Sequence, residues 1–186
     1  MKWGNIEIPW TVSWTGEETQ FVGRCKYAGG MLALRMIEAP GVGKPQFKTP
    51  HSDRQRKCIV EGRCDLCGKH LRLSTKVSLS HARVRSNGAE GPCVMQVEPL
   101  VHKPCALVCI EQCPALKRDI AAGILQVRQV LRSRVQIAIM GLEYIQHYVP
   151  GYQPQRDEKI AGHAKVELLR WIDRDEAWLR QTAEAA

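Results

Sequence analysis

No apolar run in this chain approaches the roughly 20 residues needed to cross a bilayer as a helix. The opening residues, MKWGNIEIPW, lack the charged-then-apolar pattern of a secretory signal. The expected location is therefore cytoplasmic, with no membrane partner, where thiols stay reduced. No His-x-Glu pair occurs, so a zinc deaminase would have no glutamate for proton transfer. No Ser/His/Asp arrangement, glycosidase carboxylate pair or dinucleotide loop can be assembled. GVGK at 41–44 lacks the full glycine spacing of a phosphate loop, and Pro45 stands where a Ser or Thr would bind magnesium. No internal repeat or low-complexity tract is present, and nothing points to a small-molecule substrate.

What remains is a chain of 186 residues, the length of one domain or of one domain with a subdomain. Hydrophobic residues make up 44%, enough to build a core. Eight cysteines in a reducing compartment favour metal ligation over disulfides, with the remaining thiols packed as small hydrophobes. The formal net charge is +8. It is uneven: residues 50–92 carry nine Lys/Arg against four Asp/Glu, whereas the part from 121 onward is nearly balanced. A basic centre suits a polyanionic partner, and equally a solvated face.

Period-two alternation of Ile6, Ile8, Trp10, Val12 and Trp14 predicts a strand, with Pro9 suggesting an edge. Trp3, Trp10 and Trp14 are expected to pack this N-terminal sheet. TQFVGRC and MLALRM flank YAGG and predict a hairpin. EAPGVGKPQFKTP, rich in Pro and Gly, predicts a loop. Residues 52–61 predict a short helix capped by Ser52, with Gln55 as its capping-box partner and Gly62 as its end. KVSLSHARVR and CVMQVEPL predict a second hairpin about SNGAEGP. Residues 103–113 predict a helix stopped by Pro114, with a short helix after it. Residues 125–140 alternate and predict one long bent strand or a hairpin, a helix being the alternative. GYQPQRDEK is a loop and AKVELLRW a strand. Asp173 is expected to cap a final helix ending in the AEAA tail.

The chemistry concentrates in Cys64-x2-Cys67-Gly and, 34 residues on, His102-x2-Cys105. Two residues between thiols let the chain turn so that both point inward, and Gly68 supplies the permissive backbone. Positions 102 and 105 share a face if a helix begins there. Knuckle, hairpin, then helix is the order of a treble-clef zinc site. Four protein ligands close the shell and make the single zinc structural. Cys58 or Cys93 is a substitute ligand if His102 points away. Cys109 and Cys113 continue a stripe from Cys105 and are expected in the core, with either left open as a substitute ligand; Cys113 could displace His102 but lies about 12 Å up the helix. A thioredoxin-type redox pair is the rival for the knuckle, but it should open a helix in a βαβ unit, and a glycine and a basic stretch follow instead. An HNH-type nuclease is the rival for the whole module, with His81 where its catalytic histidine could stand. The asparagine expected before the second ligand pair is absent.

RQRKCIVEGRCDLCGKHL, KVSLSHARV, AEGPC, VEPLVHKPCA and QCPALKRDI resemble a group of uncharacterised phage and prophage proteins. The resemblance covers about residues 54–120. It implies a viral origin, so that the cytoplasm would be a host cell's, and a structural zinc on Cys64, Cys67, His102 and Cys105. It supplies no activity.

The expected architecture is α+β: an antiparallel N-terminal sheet (1–49), a central treble-clef-like zinc module (50–120) and a C-terminal strand–helix unit (121–186), joined as one unit. The expected function is non-enzymatic binding of nucleic acid by phosphate contact, through Arg54, Arg56, Lys57, Lys69, Arg72, Lys76, His81, Arg83 and Arg85. The alternative is a phage factor that binds a host protein complex, such as RNA polymerase or a defence system, through an apolar patch.

Overall fold

Pro9 divides what the alternation pattern marks as a single strand. In a computed structural model describing residues 1–155 and 157–181, β1 (Lys2–Trp3) and β2 (Ile6–Glu7) form a tight antiparallel pair. β3 (Val12–Trp14) lies past the proline, buried along its length. Proline has no amide hydrogen for a ladder, so the chain bends there rather than extending one strand. β4 (Gln20–Arg24) and β5 (Leu32–Met36) make the expected hairpin. It is closed by a 3-10 turn and by Gly29 and Gly30 at φ of 65° and 80°. The expected loop before residue 50 ends in a strand: β6 (Pro45–Pro50) pairs with β3, its prolines confined to the strand ends.

α1 (Ser52–Val60) is the expected helix with a different cap. His51 Nδ1, not the Ser52 hydroxyl, accepts from the Arg54 amide at 3.3 Å. α1 is polar in sequence yet largely buried, because it lies across the sheet and its side chains bond to backbone there. The Gln55 amide nitrogen donates to the carbonyls of Val97 (2.7 Å) and Ala164 (2.8 Å), and its oxygen accepts from the Ala164 amide (3.0 Å).

The knuckle follows, then β7 (Lys76–Ser80), β8 (Val84–Ser86), β9 (Pro92–Gln96) and β10 (Val101–His102). The expected second hairpin is split. β8 and β9 pair with each other, whereas β7 is drawn between β10 and β11 (Gln126–Ile139). Both faces of β7 are largely covered, which suits an interior strand. α2 (Lys103–Gln112) and α3 (Pro114–Ala121) stand where the sequence places them. β11 is one long strand with register shifts rather than a hairpin or helix. α4 (Leu142–Tyr148) was not expected, having no side-chain cap.

β12 (Ile160–Arg174) runs well beyond AKVELLRW. It pairs antiparallel with β11 and β9 and parallel with β5. Because β12 continues through Arg174, Asp173 belongs to the ladder, and Asp175 caps α5 (Glu176–Arg180) through the Trp178 amide at 2.8 Å. The AEAA tail lies outside the described residues.

The chain is thus α+β, with antiparallel N-terminal strands and an eight-stranded sheet ordered β10-β7-β11-β12-β5-β4, β9 attaching to β12 and β8 to β9. The main core joins Val77, Val94, Ala106, Ala164 and Leu168 to Cys64 of the knuckle. Among the described residues, no helix is long and apolar enough to cross a membrane.

Candidate metal centre and basic surfaces

The knuckle is shaped by its own backbone. The Cys64 amide donates to the Lys69 carbonyl (2.8 Å) and the Gly68 amide to the Cys64 carbonyl (2.9 Å). Gly68 sits at φ +70°, and a Cβ there would come 2.9 Å from Trp10 Cγ. Only glycine meets both demands. Trp10 therefore covers the knuckle, rather than the N-terminal sheet alone, and its amide donates to the Asp65 carbonyl at 2.6 Å. The Asp65 amide donates to the Leu100 carbonyl (3.0 Å), tying the knuckle to the segment that carries the second ligand pair.

His102 is the last residue of β10 and the N-cap of α2; Cys105 stands in the first turn of that helix. The ligand atoms of Cys64, Cys67, His102 and Cys105 lie within 4.8 Å of one another. His102 Nδ1 is 3.4 Å from Cys67 Sγ and 3.8 Å from Cys105 Sγ. A tetrahedral zinc with bonds of about 2.3 Å to sulfur and 2.0 Å to nitrogen requires S···N edges of roughly 3.5 Å. The residues present therefore fit such an ion. His102 Nε2–H donates to the His70 carbonyl at 3.1 Å, which leaves Nδ1 free to ligate and fixes the ring plane. Burial pushes the Cys64 thiol up, and burial with the nearby Cys64 and Cys67 sulfurs pushes Cys105 up. Three crowded sulfurs lose their protons together only when a cation compensates them.

The substitute ligands stand apart. Cys58 is fully buried and donates to the Arg63 carbonyl at 3.3 Å. Cys93 is buried on β9, and Cys109 and Cys113 are half-buried. None of the four belongs to the ligand cluster. His81 is remote as well. Lys76 pairs with His102 across β7 and β10, and His81 lies five residues further on, roughly 15 Å along an extended chain. Its Nε2 is 2.9 Å from an Asp119 carboxylate oxygen.

The nine basic positions do not form one surface. Arg54 and Arg56 are corrected outright: they are 4% and 0% exposed. Both Arg54 terminal nitrogens reach the buried Glu17 carboxylate at 2.6 Å, and its other bonds go to the carbonyls of Trp10 and Val12. Arg56 donates to the carbonyls of Gly162 and Leu34 and to Asp53. A helix laid across a sheet buries its middle, so neither guanidinium reaches solvent. Lys57 is half-buried, its ammonium 5.6 Å from the Trp10 ring centre. Lys69 and Arg72 are exposed and Lys76 half-buried before and at the start of β7; His81, Arg83 and Arg85 are exposed past its other end.

At that second end, His81 and Arg83 line a cleft of about 630 Å³ with Gly123, Ile124, Gln126 and Arg128. Sequence reasoning missed Arg128. It is 3% exposed and donates to the Ala82 carbonyl at 2.9 Å. Its Nε lies 3.5 Å from Asp173 without a hydrogen bond among the described residues. Burial lowers its pKa. The available signal was an arginine inside the alternating apolar run of β11. Comparison of the chain with protein-family models, with curated proteins and with solved structures finds no significant match.

Proposed function

We propose that this is a phage-encoded, non-enzymatic binding protein whose structural zinc supports a surface that contacts nucleic-acid phosphates. The phage origin rests on the resemblance across residues 54–120. The zinc would be held by Cys64, Cys67, His102 and Cys105, and it would supply a cross-link between segments distant in the chain. Four protein ligands leave no coordination position for a reacting water, which is why the reading is not catalytic.

The observation that carries the nucleic-acid reading is the cleft past β7. There the exposed His81 and Arg83 side chains border a cleft whose wall is backed by Arg128, itself buried and bonded to the Ala82 carbonyl. Arg85 extends the same end along β8, and no base-reading element is required.

Titration of labelled single- and double-stranded oligonucleotides across salt concentrations tests this. In Arg83→Gln/Arg85→Gln, the slope of log K against log salt should fall by about two, with affinity weakened alike for unrelated sequences. Unchanged affinity for DNA and for RNA, with native metal content, would refute the reading.

A further inference from the structure

β7 covers one edge of β11 only from Gln126 to Val130, while β12 covers the other edge from Val127 to Ile139. From Leu131 to Ile139 the first edge has no strand partner among the described residues. This stretch contains no proline, glycine or acidic residue. Residues 131–136 are all exposed, and Leu131, Val135 and Ile139 present 46%, 45% and 51% of their surface. Long open edges of this kind are normally shortened, covered or interrupted by proline. Here the only charged side chains are Arg132 and Arg134, and Arg134 turns to Glu167 and Glu90.

The open edge also borders a cleft. Ser133 and Val135 line it opposite Glu61, Arg63, Arg72 and Lys76, at the end of β7 away from the basic cleft described above. Glu61 is engaged by Arg63 at 2.5 Å. Arg72, Lys76 and Arg132 have no carboxylate partner among the described residues. The chain leaves the sheet at Lys76, so the strand positions that would continue β7 along β11 are open.

We infer that Leu131–Ile139 is a strand-addition site for an extended acidic segment of a partner protein. A row of alternating amide donors and carbonyl acceptors is complemented by another peptide backbone. Acidic side chains on that peptide would meet Arg72, Lys76 and Arg132, and its apolar residues would lie by Val135. A second copy of the chain fits less well. Antiparallel self-pairing about Val135 makes the two Arg134 side chains diagonal neighbours and adds a second set of Arg72 and Lys76, and like charges so placed repel. The inference is independent of the nucleic-acid reading, which rests on the other end of β7.

Hydrogen exchange read by mass spectrometry tests it on the full metal-loaded chain. The probes are a nine-residue peptide alternating glutamate and threonine, its lysine–threonine counterpart, and a single-stranded oligonucleotide. The glutamate peptide should slow exchange of the 131–139 amides at least tenfold, saturably, with at least tenfold weaker effect from the lysine peptide. Arg72→Glu/Lys76→Glu, checked for native metal content and melting, should lose the glutamate-peptide protection. No protection at millimolar glutamate peptide would overturn the inference, as would equal protection by both peptides. Protection that grows with protein concentration alone would assign the edge to a second copy. Protection of the same amides by the oligonucleotide would assign it to the nucleic-acid surface. Either result overturns the proposal.

Discussion

At the scale of single residues, the centre turns on which atoms are left free. His102 spends Nε2–H on the His70 carbonyl, so Nδ1 alone can face Cys67 and Cys105. Cys67 is the useful probe because it is exposed, and replacing it removes little packing. Cys67→Ser should lose the one bound metal ion per chain and cost on the order of 5 kcal/mol, a fraction of the stabilisation typical of structural zinc. Metal analysis and denaturant unfolding check this, and chelator-treated parent protein should unfold at the variant's midpoint. Cys113→Ser should keep its metal; a loss there would mean that the ligand set is wrong. The two halves of the candidate cluster were legible because the spacing within each pair is local chemistry. Burial is not local, and so Arg54 and Arg56 could not be told from Arg83 and Arg85 in the sequence alone.

At the scale of the element, α1 was readable in its extent and misread at its start. Ser52 and Gln55 have the capping-box spacing, yet His51 accepts the Arg54 amide through Nδ1 while Nε2–H donates to the Ile37 carbonyl at 3.0 Å. A proton on Nδ1 would break the cap. Burial, and then the Arg54 charge, hold His51 below the ordinary histidine pKa. Burial alone would raise the Glu17 carboxyl, but hydrogen bonds from Arg54 and from the Ala39 and Trp14 amides outweigh it and hold it low. Both groups bind protons less readily folded than unfolded. Their stabilisation is therefore complete above pH about 6.5 for His51 and about 4.3 for Glu17, and is lost as pH falls through the lower folded values. His51→Asn keeps a capping acceptor that does not titrate. It should cost on the order of 2 kcal/mol at pH 7, because the Ile37 carbonyl loses the donor that the buried His51 ring supplies, and show a shallower loss of stability from pH 6.5 to 5, measured by urea unfolding at each pH. His163, also held low by burial, keeps its own contribution in both proteins. Superimposable pH profiles would exclude His51 as a source of the acid sensitivity.

At the scale of the whole molecule, β12 decides the architecture. It joins β5 from the N-terminal hairpin, β9 from the middle segment and β11 from the C-terminal part. α1 packs across it, with Gln55 bonded to both backbone groups of Ala164. Regions that share one central strand cannot lose it separately. The metal-loaded protein should therefore unfold in urea as one transition, with tryptophan fluorescence and far-UV circular dichroism coinciding. An early separate transition would show that the N-terminal strands unfold independently. The same strand explains why the expected hairpin of β7 with its successor failed. β12 takes β9, and β7 then fills the place between β10 and β11.

Read alone, the sequence located many of the elements and the four residues of the candidate metal cluster. Alternation marks β11, the glycine pair closes the β4–β5 turn, and Cys-x2-Cys with His-x2-Cys marks the two halves of the candidate metal cluster. The alternation, the turn and each half of the cluster depend on residues within a few positions of one another, where backbone geometry follows from local chemistry; that the two halves meet is a tertiary fact. Only the tertiary structure decided which strands share the sheet, which arginines are inside, that Arg128 lines one cleft with His81 and Arg83, and that β11 is left with an open edge. Each of those depends on contacts between residues far apart in the chain, and such contacts are set by how the apolar faces of all the elements are buried together.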